Sequence, residues 1–281
     1  MTIKITSDST CDLSQALIEK YRIGILPLYI TKDGESFKDG LEITPADIMA
    51  YTAQTGKLCS TASVSVYDYG ETFRPLSEQF DAVIHICLSS EFSSCYQNAC
   101  TAAAEFGNVY VVDSRNLSTG QGHIVIEAAR LAEQGDLSPE EIVARLNELT
   151  GKVEASFLLD RLDYMVKGGR CSTVAALGAN LLRLKPCIEV VDGKMRVGKK
   201  YRGAFNKCIR DYVTERLKGR EDLRGDRVFI THAAAEPDTV EAARAAVAES
   251  YAFGETYETT AGSTIMCHCG PHTLGVLFIR K

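Results

Sequence analysis

The sequence predicts an α/β protein of two domains, an N-terminal parallel-sheet α/β domain over residues 1–155 and a C-terminal α+β domain over 156–281. Three observations support this. The 281 residues exceed the length of about 150 that one core usually organises. The first half alternates β-branched runs with stretches of 3.6-residue apolar period, the pattern of a parallel sheet covered by helices on both faces. From about Val153 strand-like segments dominate, with few long helices between them.

IKIT at 3–6 reads as a buried strand and LSQALIEKY, from Leu13, as a short helix with apolar residues at i, i+3 and i+4. GILPLYIT at 24–31 reads as one second strand, and KDGESFKDG as a hairpin turning at Asp33-Gly34. ITPADIMAYTAQTG offers Thr44 as N-cap, Pro45 at the first helical position and Gly56 as terminator. There follow a helix in SVYDYGETFRPLSEQF, a strand in AVIHICL, a helix in SSCYQNACTAAAEF, a strand in NVYVVD and helical patterns from Ser118 to Leu149. In the second half EASFLLD, LKPCIEVVDGKMRVGKKYRG, RVFITH, TYETT and TLGVLFI read as strands, with helices at 203–217 and 237–250.

Hydrophobic residues at 45% and charged residues at 24% are ordinary for a globular chain, and the net charge of −6 gives no footprint for nucleic acid. The N-terminus lacks a signal-peptide pattern and no apolar run reaches about 18 residues, so a cytoplasmic location is expected. Ten cysteines without an export signal are expected to be reduced thiols.

Nucleotide and hydrolase signatures are missing: there is no GxxxxGK[ST], GxSxG, HExxH or paired CxxC. STGQGHIV at 118–125 lacks the third glycine of a dinucleotide loop. KGGRCS at 167–172 can wrap an anion with glycine N–H groups, Lys167 and Arg170, or be a solvated basic turn. In CHCGPHTLG, Cys267 and Cys269 have no second ligand pair at zinc spacing, and read as a strand they share one face while His268 takes the other. No metal is therefore expected there, and His268 stands just before the Gly270-Pro271 turn as a candidate binding residue. CSTASVS at 59–65 and LSSEFSSCYQ at 88–97 are dense in hydroxyls and each precedes a helical pattern, so they can either cap helices or converge on an anion.

Together these pieces resemble the DegV family, whose better-understood members are the fatty-acid-binding subunits of bacterial fatty acid kinase. SDSTCDL at 6–12 resembles TDSxxDL, TASVS at 61–65 the TSxPS element, SSEFSSCYQNA the SSxLSGTYQSA element and VVDSRNLSTGQG the DSxxxSxGxG element. LDYMVKGGRCS is similar to LxYLxKGGRIS, LKPCIEVVDGKM to LKPILxxxDGxx, and CHCGPHTLG to GxHxGPGxLG. The departures are Ala62 and Val64 in the first hydroxyl loop, Ser94 and Cys95 for Gly-Thr, Met266 for the glycine before the histidine, and His272 for the last glycine of GPG.

The resemblance implies a noncatalytic two-domain carrier holding a long-chain fatty acid, with no cofactor and no metal. The carboxylate would be held by Thr61, Ser93, Ser94 and His268, with Ser63 compensating for the hydroxyl lost at Ala62. It further implies a fatty acid kinase catalytic subunit as partner, met by Arg170 and Arg202, and transient membrane contact for ligand exchange. Burying about fourteen methylenes at roughly 0.8 kcal/mol each is worth on the order of 11 kcal/mol before association costs, so the tail would supply affinity. Two other readings stay open: a hydrolase or acyltransferase using Ser93 or Cys267 with His268 as base, and a binding module for another amphipathic acid.

Overall fold

The structure, a computed structural model, describes residues 1–175 and 184–281. The first part runs β1 (Ile3–Asp8), α1 (Gln15–Lys20), β2 (Gly24–Leu26), β3 (Tyr29–Lys32), β4 (Glu35–Lys38), α2 (Pro45–Thr55), β5 (Ser60–Ala62), α3 (Val66–Gln79), β6 (Ala82–Cys87), α4 (Cys95–Ala103), β7 (Val109–Asp113), α5 (Ser118–Gln134) and α6 (Pro139–Thr150). Strands β2, β1, β6 and β7 form, in that order, a four-stranded parallel sheet with Ile5 opposite Ile84 and Ile84 opposite Tyr110. The mixed α/β architecture expected from the sequence is thus present.

The expected strand at 24–31 divides at Pro27. β2 stays in the parallel sheet, whereas β3 joins a separate antiparallel sheet of order β4-β3-β5. Proline has no N–H to continue a ladder. The chain is redirected there by Leu28, whose N–H donates to Ser9 Oγ at 3.1 Å and whose carbonyl accepts from Asp39 N at 2.9 Å. The β3–β4 hairpin turns at Asp33 (φ 51°) and Gly34 (φ 87°), the left-handed pair that a tight two-residue turn requires. Thr44 and Asp47 form a reciprocal capping box on α2, Pro45 occupies its first turn, and Gly56 ends it at φ 71°.

The second part runs β8 (Val153–Leu158), α7 (Asp163–Gly168), α8 (Ser172–Ala175), β9 (Leu184–Val191), β10 (Lys194–Arg202), α9 (Phe205–Leu217), β11 (Leu223–Ala233), α10 (Pro237–Ser250), β12 (Glu255–Thr260), α11 (Ser263–Cys269) and β13 (Thr273–Arg280). A mixed six-stranded sheet orders β10-β9-β8-β13-β11-β12. Helices α9 and α10 pack together against one face of it, around Tyr212, Val213, Ala243 and Phe278.

Helix α5 lies between the parallel and the six-stranded sheet, in contact with β1 and β6 and with β8, β11 and β13. Every residue from Ser118 to Ile126 is buried. One core accordingly runs from Ile5, Ile84 and Ile86 through Ile124 and Val125 to Phe229 and Leu277. The glycines of STGQG serve this packing: a Cβ at Gly122 would stand 2.8 Å from Leu13 Cδ2 and 2.9 Å from the Cys11 carbonyl oxygen. The 155/156 division falls within β8, whose neighbours β9 and β13 both belong to the six-stranded sheet.

Because Ile124 contributes to a core common to both sheets, Ile124→Ala should cost about 3 kcal/mol, within the usual range for such cavities. Urea unfolding followed by far-UV circular dichroism and tyrosine fluorescence should shift to lower denaturant by both probes together. Movement of only one probe would show that the core does not couple the sheets.

Candidate functional site

The candidate site is assembled from β5, the start of α4, the end of α7 and helix α11. Register fixes Thr61 on β5 opposite Ile30, and the following residues enter α3 through Ser65, whose Oγ accepts from Asp68 N at 3.1 Å. Ser93 Oγ accepts from Cys95 N at 3.3 Å and lies 3.2 Å from Cys95 Sγ, while Ser94 is the residue before α4 and makes no side-chain cap. The sequence expectation that hydroxyl-rich stretches precede helices holds at both places.

Residues 263–269 are helical, which corrects the strand reading of CHC. Two buried carboxylates, Asp12 and Asp39, hold the first turn of α11. Asp12 Oδ1 accepts from Gly262 N at 2.9 Å, Asp39 Oδ1 from Ser263 N at 3.0 Å, and Asp39 Oδ2 from Thr264 N at 3.2 Å and Thr264 Oγ1 at 2.7 Å. Negative groups at a helix N-terminus satisfy donors that the helix leaves free. Gly270 closes the other end at φ 73°, its N–H donating to Met266 O at 2.9 Å. Successive side chains on a helix diverge by about 100°, so the three residues of CHC face three ways. Cys267 packs with Ile30, Ile43, Ile48 and Cys59, Cys269 with Phe157 and Leu159, and His268 turns to Thr61.

His268 Nε2 and Thr61 Oγ1 are 2.9 Å apart. Its Nδ1 is buried without a partner among the described residues, and a Cβ at Gly168 would stand 2.5 Å from it. The glycine of KGGR is thus what allows the end of α7 to lie against the imidazole. Arg170 folds back onto this turn, Nη1 donating to Gly168 O at 2.8 Å. Burial, followed by the nearby Arg170 charge, lowers the His268 pKa to about 4, so the ring is neutral near pH 7.

A cavity of about 300 Å³ brings together Thr61, Ser63, Ser93, Ser94, His268 and Arg170. Arg170, expected on a partner surface, therefore also lines the cavity that holds the expected carboxylate ligands. Arg202 is not brought there: it is exposed at the end of β10 opposite Leu184. Leu117, Ile265 and Cys269 line this cavity and also a smaller apolar gap of about 30 Å³, which continues between α5 and the six-stranded sheet past Ala155, Phe157 and Leu277. On the other side of the Thr61–His268 pair, a cavity of about 470 Å³ is lined by Lys57, Lys167 and Arg170. The pair and Arg170 line both cavities, with the apolar gap adjoining the first and Lys57 and Lys167 lining the second.

Sequence reasoning did not assign Asp12, Asp39 or Gly168 a part in this site. Asp12 belongs to the quoted SDSTCDL, but no local pattern reveals that its partner is 250 residues away at Gly262. Cys267 lacks the features of a nucleophile, since burial pushes its thiol far up and no hydrogen bond joins it to His268 among the described residues. Among the described residues, the grouping with metal-ligand geometry is Asp8, His85 and Cys87. Asp8 is already occupied by Tyr69 OH at 2.7 Å and Leu88 N at 3.0 Å, and His85 Nδ1 by Thr6 Oγ1 at 2.9 Å, which makes this a hydrogen-bonded core network.

The sequence profile of the DegV family, described as a family of uncharacterised protein, matches residues 2–281. The chain belongs to the DegV family. It is 34% identical to a DegV domain-containing protein of Caldanaerobacter subterraneus subsp. tengcongensis, with 99% of each chain covered. It is 32% identical to a fatty acid-binding protein of Thermotoga maritima, over 98% of this chain and 96% of the relative. The structure is similar, with a TM-score of 0.90, 28% identity and complete coverage of both chains, to a DegV family protein from Thermus thermophilus described for its fatty acid binding. The DegV departures in the 61–65 loop have a local counterpart: Asn98 of α4 donates through Nδ2 to Val64 O at 2.8 Å, with Ser63 Oγ at 3.5 Å, holding the loop where TSxPS would place proline.

The pH dependence of stability provides a test of the neutral imidazole. With a folded-state pKa near 4 and an unfolded value near 6.5, the unfolded chain binds the extra proton between those limits. The contribution of His268 is then complete above about pH 6.5 and is lost as pH falls toward 4. Urea midpoints measured from pH 7.5 to 4.5 should fall more steeply for the natural protein than for His268→Gln. Parallel curves would show that His268 is not held neutral by burial. Asp12, which burial pushes up to about 7, is common to both proteins and cancels in the comparison.

Proposed function

We propose that this DegV protein binds a long-chain fatty acid between its N-terminal part, residues 1–155, and its C-terminal part, residues 156–281. The carboxylate would rest on Thr61, Ser93 and His268 with Ser63 and Ser94 beside it, and the tail would run past Leu117, Ile265 and Cys269. The observation that carries this reading is that the polar cavity and the apolar gap lie back to back, with those three residues as their common wall. The fatty acid binding described for the Thermotoga and Thermus relatives supports the same ligand class.

The inner gap is far smaller than an acyl chain, so tail binding requires Leu117 and Ile265 to change rotamer and widen it. The head group has different needs. A buried carboxylate is costly unless donors compensate it, and hydroxyls with a neutral N–H do so without a fixed ion pair. Such a cradle leaves a carboxylate oxygen accessible from the outer, cation-lined cavity. In the proposed sequence of events a fatty acid kinase catalytic subunit phosphorylates that oxygen while this chain acts as carrier, with Arg170 and Arg202 meeting the partner. The hydrolase alternative is less well supported: His268 is bonded to Thr61 rather than to Ser93 or Cys267, and a ring with a pKa near 4 is a weak general base at neutral pH.

Native mass spectrometry of protein purified from cells should show a stoichiometric long-chain fatty acid. Protein recovered empty that also fails to bind added oleate or palmitate would overturn the assignment. Thr61→Val keeps the shape and removes the hydroxyl, and should weaken binding roughly tenfold, the value of one hydrogen bond to a charged group. Unchanged oleate affinity in a fluorescence displacement assay would remove Thr61 from the cradle.

A further inference from the structure

A separate cavity, of about 440 Å³, opens between the end of α6, the β9–β10 hairpin and the C-terminal strand. It shares no lining residue with the 300 Å³ cavity. Arginines line it from several directions: Arg115 from the turn before α5, Arg196 from β10, Arg216 from α9 and Arg280 from β13. Facing them are Glu154 on β8, Glu189 on β9 and Asp192 in the hairpin turn.

Glu154 is saturated while several of the guanidinium donors around it are not. Glu154 Oε1 receives Arg220 Nη2 at 2.8 Å and has Arg280 Nε at 3.2 Å; its Oε2 receives Arg216 Nη2 and Arg220 Nη1, each at 2.9 Å. Three guanidiniums thus converge on one carboxylate. Glu189 is likewise shared, Oε1 taking Arg216 Nη1 at 3.2 Å and Oε2 taking Arg196 Nε at 3.2 Å and Nη2 at 3.1 Å. Arg280 Nη2 goes to the Gly151 carbonyl at 2.7 Å, and Arg115 Nη2 to that of Asp192. Buried Nε atoms of Arg216 and Arg280 still lack a well-directed acceptor among the described residues. Arg220 is also paired with Asp222, so the excess of positive charge is confined to the lining itself, four arginines against three carboxylates, where Arg196 Nη1 and Arg280 Nη1 make no hydrogen bond among the described residues.

We propose that this groove binds a phosphate-bearing small molecule, with Arg115, Arg216 and Arg280 as its donors. The fork of a guanidinium matches phosphate oxygens, and a dianion supplies acceptors where Glu154 has none left. The volume exceeds a single phosphate, and the lining contains no aromatic ring, so the ligand is a compact phosphorylated molecule that needs no base stacking. The hairpin strand β10 connects the two cavities: Arg196 lines the arginine groove and its neighbour Met195 lines the cavity with His268. Occupancy of the groove would therefore bear on a wall of the other site.

The test uses sodium pyrophosphate in isothermal titration calorimetry on the full chain, at ionic strength held constant with chloride. One saturable site with a dissociation constant below about 1 mM is expected, weakened roughly tenfold by Arg280→Gln, the value of losing one charge-assisted contact. Arg115→Gln, farther from the Glu154 network, should weaken it similarly and guards against a folding defect in the first variant. Arg244→Gln, on the exposed face of α10 and in none of the cavities, should leave the affinity unchanged. Absence of saturable heat, indifference to both groove variants, or an equal loss of binding in Arg244→Gln would overturn the assignment.

Discussion

Two buried carboxylates at the start of α11 are the constraint on which the rest of this structure turns. Asp39 accepts from two backbone N–H groups of that helix, from Thr264 Oγ1 and from Ser9 Oγ at 2.9 Å. Asp12 accepts from Gly262 N and from the hydroxyl of Ser118, the first residue of α5. One side chain thus joins the loop after β1 to the beginnings of two helices, one filling the space between the sheets and one carrying His268. A charge taken out of water is tolerable only with such a set of donors, and a carboxyl pushed up to about 7 shows that at Asp12 burial still outweighs the hydrogen bonds from Ser118 and Gly262. The geometry of the imidazole follows from where these carboxylates fix its helix.

Given that position, the chemistry of His268 follows from its neighbours. Gly168 admits the turn after α7 against the ring, and Arg170 contributes a charge that disfavours a second one on the imidazole. A neutral ring can donate one hydrogen bond and accept another, whereas an imidazolium could only donate. The Thr61–His268 pair is consequently a polar element without net charge in the wall of both cavities. In the proposed binding mode an amphipathic acid would lie with its tail toward Leu117 and Ile265 and its head toward Arg170.

The fold was largely legible because its signals are local. Thr44-Pro45, Gly56 and Asp33-Gly34 each specify a cap or turn through their own backbone preferences, and the structure uses them in that way. The residues alone left the hydroxyl stretches of Thr61 and Ser93 free to cap helices or to converge on an anion, and it was the resemblance that joined them to His268, because the contacts that create the cluster link residues 207 and 250 positions apart. Residues 24–31 and CHC were misread for different reasons. The run at 24–31 is strand on both sides of Pro27 but is split between two sheets there, whereas the short CHC segment has no period of its own to tell strand from helix and is set by the carboxylates of Asp12 and Asp39.

The thiols show why residue type alone overstates chemistry. Cys59, Cys267 and Cys269 surround the site, yet burial raises the pKa of each, that of Cys269 to about 12. A thiol in that condition is neither a good nucleophile nor a ready metal ligand, and it packs as a small apolar group. Had α11 been a strand, Cys267 and Cys269 would have shared one face; the helix sends Cys267 into the core beside Ile43 and Ile48 and Cys269 to the wall shared by the polar cavity and the apolar gap. The same turn of helix therefore silences one sulfur, makes the other part of the oily route, and leaves His268 as the only polar side chain of the three, placed where that route ends.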